Sequence, residues 1–342
     1  MTRVSNRFQL YLSVCLVSIM AISTGSAVQA ATLYGVTGDG AAVDRTLYTI
    51  DKTNASKVLV GKFVSPHADG DTGGSEDDGE TIGADGNGNL YHMSGLRTHQ
   101  RQTDHREVFE QVFQDAALKN IPFKDSDLSD ADPANWVIGS SVNKTEEALA
   151  MVWNPVKFSF LLASLRTQSD TDPNAQPGDG DEPLSALTLD GEVTHLGAWP
   201  DDSNGTDVRI KGMAFVDQTL YGVSTKSSLL YELDPTNANI ISEMALIPPR
   251  GSVLDKFTGM AADPADGTLY AVARINGNED DRALVTIDSV TGNVAVIGGL
   301  GDRFAAIAFA KDELPKIPEP SSLVLAACAL LGLVLNQRRR ES

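Results

Sequence analysis

Two stretches decide the fold of this chain. "KGMAFVDQTLYGVSTKSSLLYELDPTNANIISEMALI" runs from Lys211 to Ile247, and "TGMAADPADGTLYAVARINGNEDDRALVTIDSVTGNVAVIGGL" from Thr258 to Leu300. Laid over one another, both read small-apolar strand, tight turn, Leu-Tyr strand, loop, alternating strand ending in Asp, Asn-containing turn, apolar strand. "LYELD" and "LVTID" alternate with period two, which marks strand rather than helix. Each stretch therefore predicts four antiparallel strands in about 40 residues.

The unit recurs more loosely outward from this pair. "TIGADGNGNLYHMSGL" from Thr81 supplies a first and second strand; "ALAMVWNPVKFSFLLASL" from Ala148 does the same, and "PLSALTLDGEVTHLGAW" completes that unit. Near the N-terminus "TLYGVTG", "TLYTID" and "KVLVGKF" give only three strands. The missing small-apolar strand stands at the other end, as "FAAIAFA" from Phe304. A unit divided between the two ends is what ring closure requires, and a closed ring leaves only short sheet edges. The expected fold is all-β: a five-bladed β-propeller closed by N- and C-terminal strands. The competing reading is a sandwich or an irregular β-fold. Residues 114–145 show no clear fourth strand for the second blade, and Glu107–Leu118 is the one helix candidate.

An up-and-down blade reverses at each turn, so its loops fall on two faces. Loops within the first and second strand pairs are short: "DGNGN", "VDQ", "DPADG", "DPTNAN", "DSVTGN". Those of the other set are long, including 64–80, 97–107, 114–146 and 166–182. Long loops on a rigid scaffold are where binding usually resides. They are also acidic. One reading is a solvated rim. The sharper one is calcium, with Asp69, Asp71, Asp77 and Glu80 at positions 1, 3, 9 and 12 of a partial EF-hand-like loop and Gly74 at position 6. Gly73 and Glu76 depart from that pattern.

The formal charge is -19 over 342 residues. The terminal segments carry Arg3, Arg7, Arg338, Arg339 and Arg340 against Glu319 and Glu341, so the body is more acidic still. That argues against nucleic acid or anionic lipid as partners. Cys15 and Cys328 are the two cysteines, and both lie in the terminal segments. The body has no disulfide framework and must be stabilised by its core.

Residues 1–30 read as a signal peptide: Arg3 and Arg7, an apolar Phe8–Ile22, then small residues with cleavage expected between Ala30 and Ala31. Residues 31–312 form the ring and 313–321 a linker containing Pro318-Glu319-Pro320. Residues 322–342 hold an apolar helix followed by Arg338, Arg339 and Arg340. Ser322–Leu335 is 14 residues without a charge; as a helix it reaches about 21 Å, short of a bilayer core of about 30 Å. Tilt or local thinning would let it act as a transmembrane helix, and the arginines would hold its end in the cytoplasm. This order resembles the PEP-CTERM sorting signal of Gram-negative bacteria over its last 25 or so residues. The resemblance implies export, removal of the tail near Pro318–Pro320 by an exosortase-type membrane protease, and a role at the cell surface or in a polysaccharide matrix. A glycosylphosphatidylinositol signal fits less well, because such a tail ends apolar.

Chemistry is harder to find. His92, His99 and His105 gather around one loop but at spacings that match no zinc motif; they read as solvated loop residues. His67 and His195 stand alone. Trp153 and Trp199 could stack on sugars, though core packing is the simpler role. No nucleophile elbow, phosphate loop or His-Glu-x-x-His motif appears. A hydrolase would need paired carboxylates, for which Glu80, Glu147, Asp255 and Asp302 stand at first-strand ends. Two functions stay open: a non-catalytic surface protein binding polysaccharide, a protein partner or calcium, and an extracellular hydrolase of glycans or esters with its site in a central funnel.

Overall fold

The computed structural model describes residues 31–38, 45–63, 80–94, 108–121, 145–167, 183–275, 277, 282–312 and 314. The segments expected to be a signal peptide and a sorting tail, with most of the acidic loops, lie outside these residues.

Among the described residues twenty strands make five four-stranded antiparallel sheets. Blade 1 joins β1 (Ala31–Thr37), β2 (Thr46–Ile50) and β3 (Lys57–Lys62) to β20 (Phe304–Lys311). Blade 2 is β4 (Glu80–Ala84), β5 (Leu90–Ser94), β6 (Val108–Val112) and β7 (Leu118–Ile121). Blade 3 is β8 (Thr145–Asn154), β9 (Ser159–Thr167), β10 (Pro183–Leu187) and β11 (Val193–Ala198). Blade 4 is β12 (Ile210–Val216), β13 (Thr219–Ser224), β14 (Leu229–Leu233) and β15 (Ile240–Ala245); blade 5 is β16 (Leu254–Ala262), β17 (Leu269–Ile275), β18 (Arg282–Ile287) and β19 (Val294–Gly299).

The ring closes as the divided unit requires. β20 pairs antiparallel with β1, Leu33 opposite Phe309 and Tyr34 opposite Ala308. The innermost strands β20, β4, β8, β12 and β16 neighbour one another in turn. Their small residues let backbones meet near the axis: a Cβ on Gly212 would stand 2.6 Å from the Met260 nitrogen, and one on Gly259 2.8 Å from the Ala306 Cα. The core is five apolar wedges, one between each pair of adjacent blades.

A second contact joins the blades at the rim. The turn between the third and fourth strands of one blade packs on the last strand of its neighbour. Gly61, Gly197 and Gly298 on those strands meet turns whose residues 116, 238 and 55 are alanines. In the blade 4–5 joint the sizes are reversed: Met244 stands on the strand and Gly292 in the turn, where an added Cβ would lie 3.2 Å from the Met244 sulfur. In each of these joints one of the two facing positions is glycine, while the position that carries the side chain changes.

Two expectations are corrected in blade 2. Glu107–Leu118 is not a helix: β6 occupies its first half and a single 3-10 turn, Gln114–Ala116, its second. The fourth strand exists as β7, four residues long and antiparallel to β6, with Phe109 opposite Ile121. The helix-favouring side chains of that stretch are overridden by strand pairing, with Phe109 and Val112 fully buried.

Candidate functional site

The strand order places every described first-to-second and third-to-fourth turn on one face. Six of these turns, headed by Asp51, Asp85, Asn154, Asp234, Asp263 and Asp288, share one device. An Asp or Asn at the head accepts backbone N–H groups two to four residues on, the local hydrogen bonding that such side chains favour. Asp51 accepts the Thr53 N–H at 2.8 Å and its hydroxyl at 2.7 Å; Asp234 does the same with Thr236, at 2.8 and 2.6 Å. These bonds hold both carboxyls below the usual range, as bonds from Val290 and Thr291 do for Asp288. Asp263 pairs with Lys52 across the blade 5–1 joint. In the six-residue version of the turn the fifth residue takes a left-handed φ: Ala55 at 62°, Phe158 at 54°, Ala238 at 63°, Gly267 at 75° and Gly292 at 73°.

The strand ends that carry the long loops fall on the opposite face, as the repeat implied. Its described part is the mouth of the ring, and one stretch of it, on blade 5, is basic. Lys256, Arg274 and Arg282 stand directly across from one another on β16, β17 and β18. Such a row of like charges opposes pairing unless something offsets it. Part of the offset is visible: the Arg282 Nη1 and the Thr258 Oγ1 each donate to the Phe304 carbonyl at 2.8 Å, tying blade 5 to the closing strand. Arg45, Arg209, Lys211 and Arg303 flank the same end, and each is engaged. Lys211 is 8% exposed.

The expected site residues separate. Glu80, Glu147 and Asp255 lie at the mouth-side ends of innermost strands, with only their backbones described. Asp302 is buried and sits 3.9 Å from the Lys57 ammonium, in the blade 5–1 joint. Asp69, Asp71 and Asp77 fall outside the described residues, so nothing here brings the calcium set together. Among the described residues no group of three or more His, Cys, Asp or Glu could hold a metal ion. Ala31 begins β1; Ala30, Pro318, Glu319, Pro320, Arg338, Arg339 and Arg340 lie outside.

His92 corrects the expectation of a solvated loop histidine. It is 1% exposed on β5, directly opposite Glu110, which is also 1% exposed. The His92 Nδ1 lies 3.4 Å from the Glu110 carboxylate, and the Phe63 ring covers the imidazole with centroids 4.4 Å apart. The pair ties β5 to β6 within blade 2, and the Phe63 ring packs the imidazole against blade 1. On the other face of the same strand, burial and the nearby Asp85 push the Tyr91 hydroxyl up to about 12. His195 is exposed on β11; His67, His99 and His105 lie outside the described residues. Trp199 is buried in the blade 3–4 wedge, and Trp153 packs edge-on to Phe160 at 5.2 Å, so both serve the core.

The architecture defines a five-bladed β-propeller. No known protein family matches the chain by sequence, and no curated protein does. Several solved structures are similar over most of the chain. One is a protein of unknown function from Bacteroides caccae, at 12% identity and a TM-score of 0.40, covering 83% of this chain and 100% of that one. Another is an exo-β-1,3-galactanase from Phanerochaete chrysosporium, at 14% identity and a TM-score of 0.44, covering 70% of this chain and 52% of that one. A GH43 β-1,3-galactosidase is similar at 10% identity and a TM-score of 0.44, over 70% of this chain and 80% of that one. Likeness of this degree carries no argument about what this chain does.

Proposed function

We propose that the protein is exported, sorted by its Pro318-Glu319-Pro320 tail to the surface or matrix of a Gram-negative cell, and works there as a non-catalytic binding scaffold. The observation that supports this is the division of the two faces. The ring starts at Ala31 and ends at Lys311 on the face of short turns, while the strand ends that carry the long loops are on the other. A chain anchored by its tail would thus hold its elaborated face away from the anchor. The row of Lys256, Arg274 and Arg282 favours a polysaccharide bearing carboxylate or sulfate groups as the ligand of that face, since cations at a concave mouth raise the local concentration of anions.

A glycan array of neutral and acidic polysaccharides, read with and without calcium, tests this reading. Binding of acidic glycans that weakens in Lys256→Ala supports it. Release of new reducing ends from a bound glycan would support the hydrolase reading instead, with Glu80, Glu147 and Asp255 as the first carboxylates to replace.

A further inference from the structure

The short-turn face carries one residue that stability does not explain. The turn Asn154-Pro155-Val156-Lys157-Phe158-Ser159 aligns with Asp263-Pro264-Ala265-Asp266-Gly267-Thr268. Both turns are built alike: Asn154 accepts the Val156 and Lys157 N–H groups at 3.0 and 3.1 Å, and the Phe158 N–H donates to the Asn154 carbonyl at 2.9 Å. The fifth position is left-handed in both. Blade 5 fills it with glycine, for which that conformation has no steric cost. Blade 3 fills it with phenylalanine at φ 54°. The ring is not buried as recompense: Phe158 is 74% exposed, and Val156 beside it 62%. A bulky aromatic held in a disfavoured conformation and pointed into water is the kind of strain that marks a contact yet to be made.

The chain itself says what lies opposite this face. Lys311 ends the closing strand here, its N–H donating to the Gly88 carbonyl in the blade 2 turn. Gly86 of that same turn abuts the Trp153 indole, which immediately precedes the Phe158 turn. The exit of the tail and the Phe158 turn are therefore linked through one intervening turn. Leu314 is the last described residue and the apolar segment begins at Ser322. The residues between them span at most about 27 Å when extended.

We infer that, until the tail is cut, Phe158 and Val156 seat the short-turn face on the lipid bilayer to which the tail is anchored. This rests on the proposed anchoring of the tail. A single aromatic and a valine are too small to recruit a protein of this size from solution. Tethered this closely, they need only a weak contact, because the second binding event is intramolecular. Phenylalanine suits the boundary of headgroups and acyl chains. The many aspartates of this face make zwitterionic lipid the fitting surface, and anionic lipid should weaken the contact.

The test uses residues 31–342, the chain without its signal segment, with Cys328 changed to Ser and reconstituted into phosphatidylcholine vesicles containing nitroxide-bearing lipid. An environment-sensitive fluorophore is attached in Lys157→Cys, or in Asn204→Cys on the opposite face. The label at 157 should shift to the blue and be quenched several-fold more than the label at 204. Phe158→Gly should melt at the parent temperature or above it, having lost its strained residue, and should lose the quenching at 157. A chain that floats with vesicles while both labels quench alike overturns the inference and leaves the anchored tail standing. Quenching at 157 that survives Phe158→Gly also overturns it. A chain that fails to float overturns the anchored tail and the seat with it. A label at 157 that stays exposed on vesicles but is shielded in whole cell envelopes assigns the face to a protein partner and overturns the lipid assignment.

Discussion

Exchanging side chains across the blade 3–4 joint tests whether the rim contacts work as size-matched latches. In Gly197→Ala the new Cβ would lie 2.5 Å from the Asn237 carbonyl oxygen, 3.0 Å from its carbon and 3.5 Å from the Ala238 Cβ. Backbone lies on both sides, so the blades must part; overpacking of this kind costs about 1–3 kcal/mol. Ala238→Gly trades opposing effects. It relieves a left-handed alanine, worth about 1 kcal/mol, but removes a buried methyl worth about 0.8 kcal/mol and loosens the unfolded chain by about 0.4–1 kcal/mol. Alone it should be destabilising by no more than about 1 kcal/mol. Together the two changes move the methyl from turn to strand, the order that Met244 and Gly292 already show. The turn, freed of its Cβ, can settle away from the strand. The double variant should therefore be more stable than the sum of the singles by about 1 kcal/mol or more, a coupling typical of groups sharing one space. Urea melts of the four proteins give the cycle, and scanning calorimetry should show roughly 2–4 °C per kcal/mol. Strict additivity would refute the idea that strand and turn share a single volume.

Other outcomes follow from particular contacts. Thr258→Val keeps the shape but removes one of the two donors on the Phe304 carbonyl, and should cost about 1 kcal/mol in a urea melt; no change would mean that Arg282 alone suffices there. The carboxyls of Asp51, Asp234 and Asp288 titrate below their unfolded values. As pH falls the unfolded state takes up protons first, so their contribution is whole above about pH 4 and is lost as pH falls through the folded values. Thermal melts should decline over that interval, and Thr236→Val should blunt the decline; a flat profile would contradict the turn bonding. Deleting Phe304–Lys311 should abolish cooperative unfolding, because it opens the ring rather than trimming a loose end. A deletion variant that melts like its parent would refute closure through β20.

Much of the fold was legible because the blade 4 and blade 5 sequences follow one pattern, with a Leu-Tyr second strand, a third strand ending in Asp and clear alternation. The strand split between the termini could be read for the same reason: "FAAIAFA" lacks a partner anywhere else. What was not legible has physical causes. The turn before β7 contains neither glycine nor proline; Asp115 and Ala116 take φ values of 60° and 59° without announcing it. His92 looked solvated because polar residues normally mark an exposed strand face. The second strand of a blade is covered on both sides, with Tyr91 and Met93 in one wedge and Leu90 in the other, so polarity there says nothing about exposure. The cationic row needed strand register to be seen, since Lys256, Arg274 and Arg282 are far apart in sequence. The oddity of Phe158 could have been found by laying "NPVKFS" over "DPADGT".

The central claim is that the ring is exported and that its sorting tail is cut. Mass spectrometry of the chain recovered from the cell surface tests it most directly. The account predicts an N-terminus near Ala31 and a C-terminus between Pro318 and Ser321. The intact chain, still beginning at Met1, ending at Ser342 and recovered from the cytoplasm, would contradict it.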